Sequence, residues 1–179
     1  MDYGNEVFMI PETGDQHRVE LWRATQFPYE WELEKTVFEG ERCADTTLLE
    51  HDGTWWMFTN ICRDSFDDFC SELHLFRVDG PELNSIEPHP LNPVVISTET
   101  ARGAGRIFSQ DGKLYRPSQD NTHGSYGYGL NIMEITELSM QSYSETRIRH
   151  IAGPEIPGAI GCHHVDSIGD QVVFDLRWP

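Results

Sequence analysis

Apolar residues recur along the chain in short runs with a period of two. Val7-Phe8-Met9-Ile10 is the first run and ends at Pro11-Glu12. Val19-Glu20-Leu21-Trp22-Arg23-Ala24 alternates, and Trp31, Leu33 and Val37 mark a further strand after a bend at Pro28. Such alternation predicts half-buried strands. Three hairpins stand out. Asp52-Gly53 separates Leu48-Leu49 from Trp55-Trp56, Asp111-Gly112 separates Ile107-Phe108 from Leu114-Tyr115, and Gly169-Asp170 separates Val165 from Val172-Val173. A Gly/Asp pair between apolar runs predicts a tight hairpin turn, because glycine accepts the positive φ that such turns need. The turn glycines fall roughly 58 positions apart, a spacing that suggests a propeller or a similar array.

Overlaying the repeats sharpens this reading. The outgoing hairpin strands WWMFTN, LYRPSQ and VVFDLR share a slot with VFMIPE, and the strands that follow align as VELWRA, LHLFRV and LNIMEI. The overlay predicts one domain over residues 1–179, with blade-like units at 7–40, 43–97, 102–151 and 160–179. The first unit is expected to lack its innermost strand, and the last to be a single hairpin. No segment keeps a 3.6-residue period over a useful length. The predicted fold class is therefore all-β, a partial or incomplete β-propeller built from four-stranded antiparallel blades.

Charge narrows the partners. The 179 residues include 30 acidic and 13 basic ones, for a net charge of −17. That surface repels phosphate backbones and anionic lipid, so neither nucleic acid nor membrane is an expected partner. No apolar run approaches the roughly 20 residues of a membrane-spanning helix, and the opening MDYGNEVFMIPE does not read as a signal peptide. Cys43, Cys62, Cys70 and Cys162 form no C-x-x-C pair. They read as reduced thiols in a cytoplasmic protein, with a Cys62–Cys70 disulfide as the alternative.

Candidate chemistry collects at strand ends. Glu12, Asn60 and Gln119 share one repeat slot, while Arg102, Arg106 and Arg116 crowd the central hairpin. Asp120, His163, His164 and Asp166 lie near other strand ends. Arginines and carboxylates around a shared axis suit sugar hydroxyls or a phosphate. Salt bridges between blades are the competing expectation for the same residues. Adjacent His163 and His164 point to opposite faces of a strand, so no metal site is expected. Neither a P-loop nor a Rossmann fingerprint is present, and no cofactor is expected. Trp22, Trp31, Trp55, Trp56 and Tyr115 are expected mainly between blades.

The motifs FMIPE, VELWRA, FPYEWELEK, ADTTLLEHDGTWWMF, ELHLF, PHPLNPVV, GAGRIFSQDGKLYRPSQD with YGYG, and CHHVD span nearly the whole chain. In their order they resemble the five-bladed propellers of the glycoside hydrolase family 43 and arabinanase–levansucrase–invertase type. The nearest resemblance is to the N-terminal propeller domain of glucosamine inositolphosphorylceramide transferases. It implies a carbohydrate-related function and an axial site. Asp45 takes the position resembling the aspartate that tunes the acid's pKa, and Glu12 joins it as a candidate catalytic carboxylate. Arg102, Arg106, Arg116, Gln119, Asp120 and His164 are the candidate ligand-binding residues. The resemblance puts an acid glutamate in the following repeat, where Ala104 stands eight residues before Gly112. The expected function is therefore binding of a glycan or sugar-phosphate, with hydrolysis disfavoured. If the chain is an enzyme, glycosyl transfer or glycan processing is the expected class. The alternative is a non-catalytic assembly module. Propellers of this type are longer, so open blade edges and self-association, most simply a two-fold dimer, are expected.

Overall fold

The computed structural model describes residues 1–64, 67–169 and 171–179. Asp170, named above as part of the third hairpin turn, lies outside the described residues. The first sheet joins β1 (Asp2–Tyr3), β2 (Glu6–Met9), β3 (Val19–Gln26) and β4 (Glu30–Val37) in chain order. The second joins β5 (Arg42–His51), β6 (Thr54–Cys62), β7 (Glu72–Val78) and β8 (Ile86–Pro88), with β9 (Val95–Ile96) also on β7. The third joins β10 (Phe108–Gln110), β11 (Lys113–Asp120), β12 (Gly129–Leu138) and β13 (Tyr143–Ala152). The hairpin of β14 (Val165–Ile168) and β15 (Gln171–Phe174) follows. Every ladder is antiparallel. The molecule is all-β and propeller-like.

The turns explain the register. His51 pairs with Thr54 across Asp52-Gly53, and Gln110 pairs with Lys113 across Asp111-Gly112. Asp52 and Gly53 have φ of 50° and 72°, and Asp111 and Gly112 have 52° and 75°. Two consecutive positive φ angles define the type I′ turn, whose twist matches the strands it joins.

The core lies between sheets, and strand β6 shows why. Trp55, Met57 and Ile61 pack toward the first sheet with Val19, Phe76 and Val78. Trp56 and Phe58 pack toward the third sheet with Leu73, Leu75, Leu114 and Ile135. A strand covered on both faces needs apolar residues at successive positions, so the unbroken run in WWMF reads out a central strand. Ala104, Leu130 and Cys162 form a smaller cluster against the last hairpin.

Two details differ from expectation. Met1 and β1 pair with β2, so the first sheet does have a short first strand; Phe8 N donates to Met1 O at 2.8 Å. The Pro-rich segment between β7 and β9, to which the sequence assigned no strand, supplies β8, because the outer strand is split into two pieces that share β7. All four cysteines are free thiols, so the alternative Cys62–Cys70 disulfide is absent. Among the described residues no helix is long and apolar enough to cross a membrane.

Candidate functional site

Asp45 sits where β5 bulges. The ladder slips between Ala44 and Thr47, and Asp45 takes a φ of 52°. A bulge re-aims a side chain, and a left-handed non-glycine residue is strain that neighbours must hold in place. They do so on several sides. Glu12 Oε2 accepts from Asp45 N at 2.9 Å, while its Oε1 accepts from Gly14 N at 2.7 Å. Arg102 Nε donates to Asp45 Oδ2. Gly103 passes so close that a Cβ there would lie 3.0 Å from Asp45 Cβ.

Arg102 is framed by aromatic rings. Its guanidinium carbon lies 5.6 Å from the Phe69 ring and 5.8 Å from the Tyr126 ring. Cation–π distances of this order add attraction to the ion pair. Burial works against the Arg102 charge, but Asp45 outweighs it and holds the group above its ordinary pKa. Burial likewise pushes the Tyr126 phenol up, against the opposing pull of Arg102 and a hydrogen bond with Gln119. The Cys70 thiol beside Arg102 is also raised by burial. It is therefore a poor nucleophile at neutral pH.

On the other side of Asp45 a cavity of about 650 Å³ opens between the first two sheets. Glu12, Asp45, Glu50, Arg106 and His164 are among its polar residues, with three threonines, and Phe8, Trp55 and Ile107 are among its apolar ones. Arg106 Nε spans both Asp166 oxygens at 2.9 and 3.0 Å, and Nη2 donates to Ser167 O. It thereby ties the third sheet to the last hairpin. His163 pairs with Asp175 through its ring, while His164 donates its backbone N–H to Asp175 Oδ1 at 2.6 Å and lines the cavity. The two imidazoles thus serve different surroundings.

The shared repeat slot has a structural meaning. Glu12 accepts from the backbone of Asp45, and Asn60 Oδ1 accepts from Gly103 N at 2.9 Å. Each side chain reaches from its own sheet to the first strand segment of the next. Gln119 departs from this, since its Nε2 donates to Gly103 O within its own sheet region at 3.0 Å.

Two predicted site residues lie elsewhere. Arg116 is 2% exposed and bonds Glu145 in bidentate fashion at 2.8 and 2.6 Å. Its remaining donors reach the Thr100 and Ala101 carbonyls, so it faces the core and presents nothing to a ligand. Asp120 follows Gln119 on β11 and therefore points to the opposite face. It accepts from Thr122 N and Oγ1 and pairs with His150 Nε2 at 2.9 Å. Burial raises its pKa, but the bonds from Thr122 and His150 outweigh that and leave it below the usual carboxylate value. The structure thus brings together Glu12, Asp45, Arg102, Arg106 and His164, with Gln119 behind Tyr126. Sequence reasoning missed Phe69 and Tyr126. Both sit in loops, where only the Gly/Tyr composition of 124–129 gave a signal.

The family model for the N-terminal part of glucosamine inositolphosphorylceramide transferase 1 matches residues 1–156. Glucosamine inositolphosphorylceramide transferase 1 of Oryza sativa subsp. japonica is 34% identical over 172 residues, covering 92% of this chain and 23% of that protein. The protein of the same name from Arabidopsis thaliana is 30% identical over 149 residues, covering 82% and 19%. The chain thus spans under a quarter of the length of these relatives. Among solved structures, Bacteroides ovatus Xyloglucan PUL GH43B superposes with a TM-score of 0.62 at 16% identity, over 97% of this chain and 34% of that one. At that identity the likeness speaks to the fold alone.

Proposed function

The chain belongs to the glucosamine inositolphosphorylceramide transferase N-terminal family, and from that premise we propose that it binds a glycan or sugar-phosphate group around Asp45 without hydrolysing it. The observation that carries this is the cavity of about 650 Å³ whose polar wall includes Glu12, Asp45, Arg106 and His164. Carboxylates accept from sugar hydroxyls, cations hold hydroxyls or a phosphate, and Trp55 offers a ring for the apolar face of a sugar. Bulge strain at Asp45, held by Glu12, Arg102 and Gly103, keeps the carboxylate pre-aimed at the cavity rim.

The same contacts argue against glycoside hydrolysis. That chemistry needs one carboxyl as a proton donor and a second as base or nucleophile across the bond. Both Glu12 oxygens accept backbone N–H groups, and Asp45 is committed to Arg102. Ala104 occupies the place where the resemblance implies an acid.

Calorimetric titration with glucosamine, inositol phosphate and a xyloglucan oligosaccharide tests the reading. The expected result is saturable binding of at least one, weakened about tenfold or more by Asp45→Asn, equivalent to ~1.4 kcal/mol. Arabinan, xylan and fructan should release no reducing sugar. Absence of binding at millimolar concentrations would refute the binding role, and turnover abolished by Asp45→Asn would restore a hydrolase.

A further inference from the structure

The wall of the Asp45 cavity holds more acceptors than free donors. Among the described residues its carboxylates are Glu12, Asp45 and Glu50, and its cations are Arg106 and the amino group of Met1. Asp45 is balanced by Arg102, and Arg106 by Asp166. With His164 neutral, Glu12 and Glu50 then face the Met1 amino group, an excess of one negative charge in a chain of net charge −17. Hydrogen bonding leans the same way. Arg106 spends Nε on both Asp166 oxygens and Nη2 on Ser167 O, which leaves Nη1. The Met1 amino group donates to Phe8 O at 2.9 Å, and Thr13 Oγ1 donates to Arg18 O at 2.7 Å. Thr59 Oγ1 donates to Ala44 O at 3.3 Å, so its 2.7 Å contact with Thr46 Oγ1 uses the Thr46 proton. A hydroxyl whose proton is spent offers only lone pairs. The acceptors stay open. Asp45 Oδ1 and Glu50 Oε2 have no partner among the described residues, and each Glu12 oxygen takes one N–H where it can take two. The His164 ring brings one donor and one acceptor when neutral. The free edge of β5 presents N–H and C=O groups alike and tips neither way.

We propose that the cavity takes a hydroxyl-rich glycan that carries no phosphate, a narrowing that rests on the sugar-binding role above, and that Arg106 is a tie between the third sheet and the last hairpin rather than an anion hook. Sugar hydroxyls donate, and the wall is rich in open acceptors. A phosphate monoester only accepts, and it brings nearly two negative charges to a wall that is already negative. A bidentate grip on phosphate needs two parallel N–H groups of one guanidinium. Arg106 has given Nε and Nη2 to Asp166 and Ser167, and Arg102 has given Nε to Asp45. The apolar side of the cavity adds to the discrimination, because a charge seated beside Phe8, Trp55 and Ile107 loses water without gaining a partner. Specificity then comes from unpaired like charge set against the wrong ligand as much as from bonds to the right one.

Calorimetric titration of the full chain with matched pairs tests this. The pairs are glucosamine with glucosamine 6-phosphate and inositol with inositol phosphate, and the xyloglucan oligosaccharide is titrated alongside. In each pair that binds, the phosphate-free member should bind at least about tenfold more tightly. A large excess of inorganic phosphate, at matched ionic strength, should not displace whichever sugar binds. Glu50→Gln removes one carboxylate charge from the wall and should narrow the gap within a pair. Glu30→Gln makes the same change in net charge at an exposed residue of β4, outside the cavity lining, and should leave the gap as it is. A phosphorylated member that binds as tightly as its counterpart, or displacement by inorganic phosphate, overturns the phosphate-free assignment and leaves the binding role standing. Equal narrowing by the two variants also overturns it, since the overall charge of the chain would then be the cause. Failure of every probe to bind is the failure of the binding role itself, and the assignment falls with it.

Discussion

Replacing Arg116 by Met should cost about 3–5 kcal/mol of stability, the typical cost of breaking a buried ion pair on one side only. The structure fixes the regime. The Arg116 and Glu145 side chains are 3% and 6% exposed, so solvent screens little of the interaction. Arg116→Met leaves the Glu145 carboxylate buried with only the Tyr143 hydroxyl, 2.6 Å away, as a donor. It also strips donors from the Thr100 and Ala101 carbonyls. A domain of this size loses about 2–4 °C in Tm per kcal/mol, so the midpoint should fall by roughly 10 °C. Urea unfolding followed by tryptophan fluorescence provides the assay. Arg116→Met/Glu145→Met removes both charges and should recover most of the loss, because buried pairs are often replaceable by apolar residues at little net cost. Where the single variant stays folded, its sugar binding should match the wild type. A cost under about 1 kcal/mol would mean that the pair behaves as an exposed one and that Arg116 is more accessible than described.

Two further predictions concern backbone and pH. Gly112→Val should destabilise by about 1 kcal/mol or more, because a β-branched residue must then adopt a φ of 75°; thermal melts showing no change would contradict the type I′ turn. Asp120 has a depressed pKa in the fold, so its contribution is present above the unfolded value of about 3.9 and lost as pH falls through the folded one. Asp120→Asn should therefore flatten the decline in stability below about pH 4, as read from urea midpoints against pH, and an unchanged profile would rule out that role.

Much of the fold was legible because sheets write simple patterns. Asp52-Gly53 and Asp111-Gly112 announced their turns through backbone geometry alone, and the WWMF run announced a strand covered on both faces. The short β1 and β8 carried no such pattern, since two or three residues cannot display a period. The site was only partly readable. The repeat overlay picked out Glu12, in one slot with Asn60 and Gln119, and the family resemblance picked out Asp45. Arg116 was misplaced because its neighbourhood in sequence says nothing about which face of β11 it occupies. Alternation separates Gln119 from Asp120, but their register to Gly103 and His150 comes from pairings far apart in the chain. Phe69 and Tyr126 meet Arg102 only through loop paths that no periodicity describes.

The bonds from Glu12 to Asp45 and from Asn60 to Gly103 also bear on how the molecule comes apart. Each links a side chain in one sheet to a backbone group that begins the next. Coupling of this kind is between nearest neighbours, as in linear repeat arrays. Opening should then spread stepwise from the thinly covered hairpin inward, and amide exchange should rank the sheets by the number of flanking neighbours. Strands β5–β7, with a sheet on either side, would exchange last. Asp45 sits at the start of that slowest segment, so the geometry of its bulge would outlast fraying of β14 and β15.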